Sequence, residues 1–171
     1  FLESISELGP KLAMVLLQFP PTFDISMAGP LLRLLDKVQT TVPLAVEVRH
    51  SSWTGSDLPA DLRQRSVTLV ANDYHDRAQP LHPTAPLLYL RFIGEHERYP
   101  EMNKEELDTD DRLAWWADQV KKIAPASATI YAAFNNNYAG YSIATAGRLK
   151  RILGLPTALR RPLPVQSLFD L

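Results

Sequence analysis

Glu47, Arg49 and His50 stand together in the stretch PLAVEVRHSSW, residues 43–53. A carboxylate and a guanidinium two residues apart can do two kinds of chemistry. Joined by a second guanidinium, they can hold a phosphate or carboxylate, with Glu47 orienting the forks or acting as a general base. Without a ligand the groups must pair with one another, because an unpartnered charge in a protein interior is too costly to keep. Arg91, in the stretch LLYLRF at residues 87–92, can supply the second guanidinium. At the strand period of two, Leu44, Val46 and Val48 share one face, and Ala45, Glu47 and Arg49 the other. Leu88, Leu90 and Phe92 likewise oppose Tyr89 and Arg91. Glu47, Arg49 and Arg91 are therefore expected on one interior face, as an anion pocket or as a buried ion-pair network.

Other polar groups collect where apolar runs end. Gln18 closes LAMVLLQF, Asn72 and Asp73 follow VTLVA, and Asn135, Asn136 and Asn137 follow TIYAAF. Gln18, Asp73 and Asn135 join Arg49 and Arg91 as candidate ligand-binding residues. Asn135 shares parity with Tyr131 and Ala133, whereas Asn136 is assigned to the loop; Asn side chains also cap turns, and Gln18 could equally serve the Pro20-Pro21 turn. His50, of outward parity, is expected to cap its loop. Glu47, His50, Asp73, His75 and His96 are metal-ligand types, but no HxH or HExxH spacing joins them, so no metal and no cofactor are expected. Tyr89, Tyr131 and Trp53 could stack on a base or sugar; core packing is the expected role of each.

The elements that position these groups alternate. A helix end over residues 1–9 stops at Gly9-Pro10. Strands are expected at 12–19, within 43–50, at 67–71, 87–92 and 129–134. Helices are expected around Leu31, Leu32, Leu34, Leu35 and Val38 (capped by Asp24 or Ser26), at 59–65, at 108–124 and at 142–153. Continuous apolar strands suggest a parallel sheet covered on its faces. Ligands of such folds sit at the C-terminal strand ends, where all the polar clusters fall. The fold class expected is α/β, a TIM-type (β/α)8 barrel represented here by its C-terminal five strands, with three strands upstream of Phe1 completing it. Residues 1–157 would be the barrel portion and 158–171 a Pro/Arg-rich tail. Strand edges left uncovered would promote association.

The 171 residues, 46% hydrophobic, suffice for one sizeable core. A formal charge of −1 carries no polyelectrolyte signature for nucleic acid or membrane. The charge is unevenly spread: residues 95–118 hold nine acidic and three basic side chains, residues 148–171 five basic and one acidic. With no cysteine, disulfides, zinc thiolates, iron-sulfur clusters and cysteine nucleophiles are excluded for this chain. A cytoplasmic protein without a membrane span is expected.

Four stretches in order, LLQFPPTF (16–23), EVRHSSW (47–53), YLRFIG (89–94) and AFNNNYAGYS (133–142), resemble the YecE-like family, the domain of unknown function 72. The resemblance implies an eight-stranded barrel related to TIM barrels and implies no established reaction. Two positions depart from the family pattern: Asn137 stands where members often have His, and Ile93-Gly94 where many have His-Gly. Both changes remove a potential base or metal ligand.

The last residues, VQSLFDL, resemble the short Gln-Leu-Phe peptides that dock into the hydrophobic cleft of the bacterial DNA sliding clamp. Gln166, Leu168, Phe169 and Leu171 would be the partner-binding residues of an extended anchor; a tail folded back on the barrel is the alternative. Two functions remain open from the sequence. One is a barrel binding a phosphorylated or nucleic-acid-like ligand, with hydrolysis as its reaction. The other is a noncatalytic adaptor tethered through the tail.

Overall fold

The computed structural model describes residues 2–76, 78–124 and 128–157. After a short helix α1 (Leu2–Ser6), Gly9 takes a left-handed φ of 51° and Gly9–Lys11 form a 3-10 turn. Strand β1 (Val15–Gln18) therefore starts later than its apolar run suggests, and it pairs in parallel with β2 (Leu44–Glu47), Gln18 lying beside Glu47. Between them, Asp24 caps a 3-10 turn, Ile25–Met27, accepting from the Ser26 amide at 2.8 Å, and α2 (Ala28–Lys37) follows. The expected cap thus serves the turn and not the α-helix. Leu31 and Leu35 of α2 and Leu58 and Leu62 of α3 (Leu58–Gln64) cover Leu44, Val46 and Val48, as strand parity requires.

The third strand is broken in two. Strand β3 (Thr68–Leu69) pairs with β2, Val70 donates its amide to the Val46 carbonyl at 2.9 Å, and β4 (Ala71–Asp73) pairs instead with β6 (Leu87–Phe92). A short return, β5 (Ala78–Gln79), runs antiparallel beside β4. This piece is not expected from the sequence, since its two residues show no alternation. Helix α4 (Asp110–Ile123) leads to β7 (Thr129–Phe134), parallel to β6, and α5 (Ser142–Ile152) closes the described chain.

The fold is thus a mixed α/β arrangement of two sheets, β1-β2-β3 and β5-β4-β6-β7, with segment 68–73 contributing to both. Apart from β5, every pairing is parallel and neighbours follow chain order. Among the described residues the strands do not close into a barrel; β1 and β7 are edges. Two apolar clusters underlie them. One joins β1–β3 to α2 and α3; the other sets Leu88, Leu90 and Phe92 against Leu113 and Trp116 of α4 and Leu149 of α5. Edge position corrects one expectation: Tyr131 on β7 is 41% exposed and packs in no core, because its strand has a partner on one side alone. Trp53, by contrast, is buried, stacks on Phe23 and donates its indole N–H to the Phe23 carbonyl at 2.7 Å.

Charge asymmetry is partly spent inside the chain. Arg148 on α5 binds Glu105 at 2.5 Å and Asp110 at 2.8 Å, which pins the acidic segment onto the last helix.

Candidate functional site

Glu47 ends β2 on the face away from the helices and is fully buried. Both its oxygens are engaged: Arg49 Nε donates to Oε1 at 2.8 Å, and Arg91 donates from one terminal nitrogen to Oε2. The same Arg91 nitrogen reaches Gln18 Oε1 at 2.7 Å. Four of the residues named from the sequence, from three different strand ends, thus form one cluster. Its make-up is two guanidinium groups on one carboxylate, so one positive charge is in excess. Both arginine side chains keep about a quarter of their surface exposed, 23% for Arg49 and 24% for Arg91.

The two arginines line adjoining cavities. Arg91 lines one of about 360 Å³ with Tyr89, Asn136 and Ser142. Arg49 lines one of about 550 Å³ with His75, His96, Arg98 and Asn137. Asn135 and Ile93 border both. The larger cavity collects the residues that follow β2, β4, β6 and β7, the C-terminal ends where parallel α/β folds hold ligands.

Local backbone features build its walls. Asn135 accepts from the Asn137 amide at 3.0 Å and caps the 3-10 turn Asn136–Tyr138, while Asn136 accepts from the Ser142 amide at 2.9 Å and anchors α5. Asn135 is therefore both cavity wall and cap. Gly94 has a φ of 70°, and a Cβ there would lie 2.2 Å from the Asn137 carbonyl oxygen. The loop after β6 can press against the Asn turn only because this residue is glycine. His75 also sits left-handed, at φ 71°. Its amide donates to Asp73 Oδ1 at 2.9 Å, its ring stacks on Tyr138, and its Nε2 lies 2.5 Å from the Tyr138 carbonyl oxygen. A carbonyl can only accept, so Nε2 carries a proton, which leaves Nδ1 as the other ring nitrogen.

Asp73 does not belong to the cluster. It points to the helix side, fully buried, and accepts from Arg112 at 2.7 and 3.0 Å, from Trp116 Nε1 at 2.5 Å and from the Tyr138 hydroxyl at 3.1 Å. Burial pushes its carboxyl up, but the donors from Arg112, Trp116 and the His75 amide, with the Arg112 charge, hold it below the usual carboxylate range. Tyr138 is pushed well above the usual tyrosine range, first by burial and then by the Asp73 charge. The signal for this placement was in the sequence, since Asp73 shares strand parity with Leu69 and Ala71. Its partners Arg112, Trp116 and Tyr138 were not anticipated, because their meeting depends on helix packing.

His50 accepts from the Ser52 amide at 3.2 Å and caps the 3-10 turn Ser51–Trp53. Among the described residues no group of three or more His, Cys, Asp or Glu could hold a metal ion, and no helix is long and apolar enough to cross a membrane. Gln166, Leu168, Phe169 and Leu171 lie outside the described residues.

Parallel strands in chain order, helices over one face and charged groups at the strand ends define an α/β protein with a strand-end candidate site. The chain belongs to the family described as protein of unknown function DUF72, whose model matches residues 1–168; the YecE-like resemblance denotes this same family. Its fold is similar to that of a DUF72 family protein from Enterococcus faecalis V583, 24% identical, with a TM-score of 0.71 over 91% of this chain and 67% of that one. It is also similar to a DUF72 family protein from Thermotoga maritima MSB8, 25% identical, with a TM-score of 0.67 over 90% and 64%. The chain thus spans about two thirds of the length of these structures. Among curated proteins, none matches it.

Proposed function

We propose that this protein binds a phosphorylated, anionic ligand at the C-terminal ends of its strands, with Arg49 and Arg91 as the clamp. The observation that carries this reading is the count of charges: two guanidinium groups share one buried carboxylate, and each also borders a cavity. One arginine would balance the carboxylate, so the second guanidinium leaves a net positive charge beside the cavities. Glu47, with both oxygens engaged, suits the part of holding the two forks in place better than that of a base. Gln18 steadies Arg91, and Asn135 offers its amide at the border of the two cavities. For hydrolysis of a bound ester, His75 is the side chain equipped to take a proton, through Nδ1.

The test is titration with inorganic phosphate at low salt. Binding is expected in the parent, with Arg49→Gln and Arg91→Gln each weakening it about ten-fold, in the range of a lost charge-assisted contact. Unchanged affinity in both variants overturns the reading.

The parallel strands, ordered as in the chain and open at β1 and β7, are read here as part of an eight-stranded barrel. The adaptor reading rests on QSLFDL alone. Removing residues 166–171 should abolish capture of a sliding clamp, and full retention of the complex would end that reading.

A further inference from the structure

Beside the strand-end cluster lies a third cavity of about 230 Å³, walled by Val48, Trp53, Leu58, Pro59 and Leu69. It adjoins the 550 Å³ cavity, because Arg49 and Tyr74 line both. Arg49 therefore borders both a polar mouth and a mainly apolar chamber. We propose that this chamber is the second half of the ligand site and takes the uncharged heterocyclic ring of a nucleoside monophosphate whose phosphate lies at Arg49. This inference rests on the anion-binding reading above and names the class of ligand for it.

Two of the polar side chains that line the chamber suit such a ring. Asn72 lines it, is 5% exposed, and holds its Nδ2 buried with no hydrogen-bond partner among the described residues. A buried amide donor left unsatisfied is costly, and this one belongs to a carboxamide that lines the chamber. A carboxamide can pair in plane with the edge of a nucleobase, which presents ring nitrogens and carbonyl oxygens as acceptors. His82 lines the same chamber, half-buried; burial, with the Arg63 charge adding, lowers it below the ordinary histidine value, so this imidazole is uncharged near neutrality. Apolar walls, an amide and a neutral imidazole fit a polar but uncharged ring.

The experiment is calorimetric titration of the chain with inorganic phosphate, ribose 5-phosphate and the four nucleoside 5′-monophosphates at low salt. At least one nucleotide is expected to bind about ten-fold tighter than ribose 5-phosphate. Asn72→Leu, of similar volume, should erase that preference, leave phosphate binding as in the parent, and leave the melting temperature undiminished, because an orphaned polar group has been replaced by an apolar one. Nucleotides that bind no better than ribose 5-phosphate overturn the inference and leave the anion reading standing. So does an Asn72→Leu variant that keeps the preference, or one that melts several degrees lower and so shows the amide engaged in the fold. If inorganic phosphate itself does not bind, the anion reading falls and the nucleotide inference falls with it.

Discussion

Glu47 and Asp73 are both carboxylates at the ends of strands, β2 and β4, and both are fully buried. Their surroundings differ in one respect. Asp73 is surrounded on the helix side by donors from α4, from the turn after β7 and from its own loop, and its single arginine balances its single charge. Glu47 lies on the other face, beside cavities, and holds two arginines that keep exposed surface. Equal burial therefore serves two ends. The balanced carboxylate ties layers of the fold together, while the outnumbered one leaves positive charge at a cavity mouth.

The largest effect should come from Asp73→Ala. It strands the Arg112 charge and the Trp116, Tyr138 and His75 donors, and a buried pair broken on one side typically costs about 3–5 kcal/mol. Denaturant unfolding should show a loss of that size, and a loss below about 1 kcal/mol would remove Asp73 from its structural role.

Glu47→Gln should act differently. Stability is expected to drop by about 1–3 kcal/mol, the cost of weakening a charge-assisted buried contact. Phosphate affinity should rise several-fold, because the excess positive charge grows from one to two. A fall in phosphate affinity would mean that the isosteric amide cannot hold the two forks and that the Glu47 charge is needed for it, and the contrast with Asp73 would narrow.

A smaller effect belongs to acid. Because the Asp73 carboxyl titrates lower in the folded than in the unfolded chain, the unfolded chain binds more protons in the interval between the two values. Stability then rises with pH there. The Asp73 contribution is complete above the ordinary carboxylate value of about 3.9 and is lost as pH falls through the lower folded value. Melting temperatures followed downward from about pH 6 should fall at the acid end, and Asp73→Asn should flatten that limb. An equally steep limb in the variant would assign acid sensitivity to other groups.

Strand parity made much of the candidate site legible in advance. It placed Glu47, Arg49 and Arg91 on one face because the side-chain period of a strand is a local property, and the apolar residues opposite them reveal which face the helices cover. Reading alternation along residues 67–73 would have sent Asp73 the other way. The β5 return was invisible because two residues carry no period. Tyr131 was misplaced because edge exposure depends on which strands are neighbours, which no local pattern records.

The sequence by itself determined the alternation of strands and helices, the parity of each strand and the family, all of which rest on local periodicity and ordered motifs. Tertiary structure alone decided that Arg49 and Arg91 meet on one carboxylate, that His75 is held left-handed against Tyr138, and that Asn72 lines a chamber behind Arg49. Each is a contact between segments far apart in the chain, set by how β2, β4 and β6 align and by the close approach that Gly94 permits.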